Sequence, residues 1–198
     1  MRARMAIAIS GQQVELREVI LRDKPPSMIE LSSKGTVPVL SLSSGQVIDE
    51  SLDVIDWALN QNDPDNWLRS SQSEKTLELI HTNDNEFKHH LDRYKYSKRY
   101  DNEDPLIHRE KCLIFINELE EQLSASRFLY DDEISALDIS ILPFIRQFRI
   151  ADMDWFDSLQ KPSIQNWLMK FLESKLFKSI MMKYEKWEEG DEKIFFPY

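Results

Sequence analysis

The stretch whose reading decides the fold is "KGTVPVLSLSSGQVIDESLDVIDWAL", Lys34 to Leu59. Its first half, "TVPVLSL", is β-branched and apolar as a strand should be, yet it carries Pro38, which lacks the N–H that a central strand must donate. Two resolutions stay open on these residues. Either Pro38 begins an edge strand, or the Val37–Pro38 bond is cis, a form only about 0.5–1 kcal/mol above trans before proline. In the second case Val37 offers its backbone N–H and C=O to an extended ligand. Ser43, Ser44 and Gly45 then make a turn, and "QVI" returns as a short strand, closing a tight hairpin. The segment "DESLDVIDWAL" follows with Leu52, Val54, Ile55 and Leu59 at helical spacing. Asp49 and Glu50 stand near the positive end of that helix, and Ser51 is placed to cap it. A helix N-terminus with free N–H groups and a hydroxyl holds a carboxylate, while a glutamate accepts from an ammonium. A small ligand carrying both groups, an amino-acid end, fits this corner.

Working outward, residues 1–60 alternate in character. "MRARMAIAIS" (Met1–Ser10) is an apolar helical stretch followed by Gly11, and "QVELREVIL" sets Val14 and Leu16 between charged residues at the period of a strand. With a short helix or turn after Pro25 and Pro26, the order is αβαββα, a mixed α/β unit. Residues 61–73 are polar and contain Pro64, which reads as a linker. From 74 to 198 the strand signals vanish and helical patterns take over: Glu74 to about Arg99, Pro105 to Leu123, Ala136 to about Ile150, Ile164 to Leu172 and Lys175 to Trp187. Pro143, inside the third of these, is expected to kink or shorten it.

Composition narrows the partners. A net charge of −10 and a pI near 4.9 repel nucleic-acid phosphates and anionic lipid, so neither is expected. The apolar run Met5–Ile9 is shorter than a leader's core of roughly 7–15 residues, and nothing approaches the roughly 20 residues of a spanning helix. The single cysteine, Cys112, excludes an internal disulfide framework and fits a reducing, cytoplasmic setting. It lies in the apolar pattern of "HREKCLIFINELEEQL" and reads as a buried helix thiol.

The run from Lys34 to Leu59 closely resembles the thioredoxin-like N-terminal domain of the glutathione S-transferase superfamily, in particular its two-domain glutaredoxin branch. Three features in order carry the resemblance: Val37-Pro38, the turn at Ser44-Gly45, and Glu50-Ser51 opening a helix. The resemblance implies that Val37 and Pro38 pair with the cysteinyl backbone of glutathione and that Glu50 and Ser51 hold its γ-glutamyl end. In "ISALDIS", Ser135 and Asp138 stand at capping-box spacing, which is similar to the box that opens a central helix of the superfamily's C-terminal domain. The implied fold is an α/β thioredoxin-like N-terminal domain, truncated at its first strand, and an all-α C-terminal domain.

Family members place a strand and a loop bearing a catalytic Cys, Ser or Tyr before their first helix. "MRARMAIAIS" resembles that helix, so the catalytic residue is unknown here and is expected upstream of Met1, with Met1 an internal methionine. In "NDNEFKHHLDRYKYSKRY", most of the pattern reads as a core stripe beside a solvated face; the resemblance adds Phe87, His90, Tyr94 and Lys98 as candidates for a second-substrate pocket. No metal is expected, because His81 and His89 lack converging partners. The implied function is a glutathione-dependent transferase or thiol-disulfide oxidoreductase, with glutathione as substrate or cosubstrate and a small electrophile or disulfide as second partner. The alternative is a non-catalytic binding or interaction module of the same fold. A homodimer and a monomer both occur among such proteins, and the sequence leaves the choice open.

Overall fold

The computed structural model describes residues 1–197. They form two compact units: residues 1–66 joined by the chain from Lys175 onward, and Trp67–Ser174. The chain thus re-enters its first unit at Lys175, where the sequence pattern keeps 74–198 together.

In the first unit, α1 (Arg2–Ser10) ends at Gly11, whose left-handed backbone (φ 68°) lets its N–H bond back to the carbonyl of Ile7. Helix α1 packs on α3 (Ser51–Gln61) through wholly buried Met5, Ala6, Val54 and Ala58. On α1 also lies α10 (Lys175–Ile180), its Ile180 buried. Between α1 and α3 come β1 (Val14–Leu16), α2 (Pro26–Leu31), β2 (Leu40–Ser41) and β3 (Val47–Ile48). The hairpin of β2 and β3 is antiparallel and turns through Gly45 at φ 87°, with bonds from Leu42 N–H to Gln46 O and from Gly45 N–H to Leu42 O.

Two expectations for this unit are corrected. Strand β1 pairs antiparallel with β4 (Ile194–Phe196), so strand structure returns at the end of a stretch read as all-helical. The last helix stops at Ile180 rather than Trp187. Beyond it the chain is tied down by contacts distant in sequence. Trp187 N–H donates to Glu18 O at 2.8 Å, Arg17 lies 4.4 Å over the Trp187 ring, and Lys186 pairs with Asp23. Tertiary partners here override the helical propensity of "MMKYEKW".

The second unit is helical throughout. Helix α4 (Glu74–Thr82), a π turn (Asn83–Phe87) and α5 (Lys88–Lys95) follow one another without a break. Next come α6 (Pro105–Ala125), α7 (Ala136–Ala151), α8 (Met153–Ser158) and α9 (Pro162–Glu173). Pro143 sits inside α7 without ending it. Helix α7 is the core, burying Ile139, Ile141, Leu142, Ile145 and Phe148 completely. Its start is set by buried Asp138, one carboxylate oxygen accepting from Ser135 N–H and Oγ, the other from Leu129 N–H and Trp167 Nε1. Burial pushes that carboxyl up while the four donors oppose the shift. Cys112 is buried with its Sγ 3.9 Å from Phe87 O, and desolvation pushes its thiol up to about 12.

Candidate functional site

In the first unit the four named residues flank one hairpin. Leu40 faces Ile48 and Ser41 faces Val47. Pro38 lies two residues before β2 and Glu50 two residues after β3. The Val37–Pro38 bond is cis, and Val37 is 51% exposed. Directly after β3, the chain becomes helical at Ser51, with Glu50 extended before it (φ −111°, ψ 136°).

Ser51 does not cap α3, which corrects the expected role of its hydroxyl. The cap position belongs to Glu50, and among the described residues no side chain bonds the first N–H groups of the helix. Those donors are left for solvent or a ligand, as at any uncapped helix start. The Ser51 hydroxyl instead accepts from Nη1 of buried Arg2 at 3.4 Å, which brings a guanidinium beside the positive end of α3. On the other flank Lys34 Nζ donates to Asp49 Oδ1 at 2.9 Å and to Glu50 Oε1 at 2.6 Å. Ser32 Oγ donates to the second Asp49 oxygen at 2.6 Å. Ser32, and after it Lys34, hold the Asp49 carboxyl below the usual range, while Glu50 and Asp49 raise the Lys34 ammonium. The corner therefore presents exposed Val37, an uncapped helix start beside a guanidinium, and a Glu50 carboxylate paired with Lys34.

The second unit separates the other four candidates. Phe87 is buried and stacks on Phe115 and Phe148 at 5.2 and 5.7 Å. Tyr94 joins the same aromatic group, 5.6 Å from Phe148, and desolvation raises its phenol. His90 lies on another side of α5, with its Nδ1 2.8 Å from Nδ1 of His108. Lys98 is exposed on the short turn Ser97–Arg99. Phe87 and His90 share the wall of one cavity, which Tyr94 and Lys98 do not line. Among the described residues no group of three or more His, Cys, Asp or Glu side chains is arranged to hold a metal ion, and no helix is long and apolar enough to cross a membrane.

Residues 1–67 match the family model described as "Glutathione S-transferase, N-terminal domain". About nine-tenths of the chain superposes on solved structures of that fold. A Gtt2-class glutathione S-transferase of Vibrio parahaemolyticus is 21% identical, with 90% of each chain covered and a TM-score of 0.72. The bacterial BphK is 18% identical, with 91% of this chain and 92% of that one covered and a TM-score of 0.77. A glutathione transferase of Methylococcus capsulatus is 19% identical, with 91% of both chains covered and a TM-score of 0.74. This chain has the glutathione S-transferase fold. No curated protein sequence matches it.

Within that fold, three side chains at or near the candidate corner escaped sequence reasoning. Arg2 was legible only as a charge interrupting an apolar helix, and its contact spans 49 positions. Lys34 belongs to the diagnostic stretch itself, and the hairpin register that returns Asp49 and Glu50 toward it was the available signal. Ser32 carries no sequence signal beyond its polarity.

Proposed function

We propose that the chain binds glutathione at the corner formed by Val37, Pro38, Glu50 and Ser51, and that it serves as a glutathione-dependent transferase or thiol-disulfide oxidoreductase in the cytoplasm. What supports the reading is the hairpin of β2 and β3, with exposed Val37 and Pro38 just before it and the uncapped start of α3 just after it. The γ-glutamyl carboxylate meets the α3 N–H groups beside Arg2, its ammonium meets Glu50, and the cysteinyl backbone pairs with Val37. A reacting thiol in this pose belongs to the ligand. Cys112 is no thiolate source at neutral pH, because burial holds it protonated in the second unit.

Calorimetric titration with glutathione tests binding. Saturable binding is expected, with Glu50→Gln weakening it by about tenfold, or ~1.4 kcal/mol, the order expected for one charged hydrogen bond. Cysteinylglycine, which lacks the γ-glutamyl end, is expected to bind far more weakly. Absence of glutathione binding would overturn the proposal. The competing reading is a non-catalytic module of the same fold, and the deep burial of the sole cysteine favours it. Saturable binding with no turnover of electrophiles or disulfides selects that reading.

A further inference from the structure

Outside this corner, the second unit holds a chain of three titratable groups that ends in a cavity. Glu103 Oε2 lies 2.8 Å from His108 Nε2 and 2.8 Å from Arg93 Nε. A carboxylate only accepts, so Nε2 of His108 carries the proton. With both rings neutral, Nδ1 of His108 is then an acceptor, and the Nδ1 of His90, 2.8 Å away, donates to it. This leaves Nε2 of His90 as a lone pair, and no hydrogen-bond partner meets it among the described residues. His108 is buried and His90 half-buried.

His90 lines a cavity of about 230 Å³ between the α4–α5 rod and α6. Its apolar wall is Phe87, Phe115 and Ile114, and Ile114 is 71% exposed at the mouth. The volume is below the roughly 300–1,000 Å³ of drug-sized sites, which suits a one-ring molecule. Glu86 and Glu118 also line it, against the one cation Lys111, and they disfavour an anionic guest. Burial and the like charge of Glu78 raise the Glu118 carboxyl, a further sign that negative charge is already crowded there.

We propose that this cavity is a binding site for a small neutral aromatic alcohol, a phenol, whose hydroxyl donates to Nε2 of His90 while its ring lies against Phe87 and Phe115. Glu103 acts through His108 as a positioning residue, fixing the tautomer that makes Nε2 an acceptor. Burial, with the charges of His89, His108, Lys111 and Arg93, lowers the His90 pKa. The site lies wholly within the second unit and does not depend on glutathione binding.

The full-length chain, with histidine labelled in ¹⁵N, is titrated with phenol and with anisole, its methyl ether that cannot donate. Phenol is expected to shift the His90 Nε2 resonance saturably, and anisole to bind at least fivefold more weakly without that shift. His90→Phe is expected to erase the difference between the two probes. Glu103→Gln, which keeps the cavity, is expected to reduce it. Acidification is expected to weaken phenol binding, because a proton entering the pair turns Nε2 of His90 from acceptor into donor. Equal binding of phenol and anisole, no saturable shift, or a shift confined to His81 or His89 would each overturn the proposal. The wild-type comparison of the two probes decides the matter even if a variant fails to fold.

Discussion

Arg69 grips both oxygens of Asp131, with Nε to Oδ2 at 2.9 Å and Nη2 to Oδ1 at 2.7 Å, and donates besides to the carbonyls of Glu133 and Ile134. That grip, more than any other contact, pulls the Asp131 carboxyl down to about 2. A carboxylate depressed in the folded state adds stability above its ordinary value near 4 and loses it as pH falls through about 2. Asp131 is 42% exposed, so solvent screening limits the contribution to about 1 kcal/mol. Asp131→Asn is therefore expected to lower the unfolding midpoint at pH 5 and to match the wild type near pH 2, in thermal melts across that range. Legibility at this scale followed sequence distance. The hairpin between Pro38 and Glu50 was readable because a turn of a few residues joins its strands. Glu103 and His108 were not, since their contacts with Arg93 and His90 form only when α5 and the start of α6 lie side by side.

Among elements, α7 is the best specified. Its capping box was visible in "ISALDIS" because both partners fall within four residues, but two of the four bonds to Asp138 come from Leu129 and Trp167. Asp138→Ala leaves those buried donors unpaired at about 1–3 kcal/mol each. A loss of at least about 3 kcal/mol is expected in denaturant unfolding of the variant, and a loss below 1 would mean the network is dispensable. Strand β4 is the opposite case. Three residues, "IFF", give no alternation to count, and their partner Val14–Leu16 lies some 180 positions earlier. Pairing at such separation leaves no local trace. Phe196 is nonetheless 2% exposed, and Phe196→Ala is expected to cost about 3–5 kcal/mol, read as a lowered unfolding midpoint.

At the scale of the whole molecule, the first unit is assembled from two segments separated by the entire second unit. The helical half and the hairpin were foreseeable from periodicity and turn chemistry; the return of the chain was not, because periodicity describes elements and not their destinations. One consequence can be measured. A chain ended after Ser174 keeps Val37, Pro38, Glu50 and Ser51, but α1 loses α10 and β1 loses β4. Such a chain is expected to lose glutathione binding and amide-exchange protection in α1 and α3. Unchanged affinity would mean that the corner is supported without the segment from Lys175 onward.

The π turn at Asn83–Phe87 is a phase shifter. One residue advances an α-helix by about 100°, and a π turn is a helix that has absorbed an extra residue into a single turn. Everything C-terminal to it, His90 included, is pointed where it is by that surplus. Winding the same residues as a plain α-helix would swing His90 round the rod and away from His108, whereas deleting one residue within the turn would leave it pointing nearly as it does. The direction of this imidazole is written in a count of residues, and side-chain chemistry alone does not encode it.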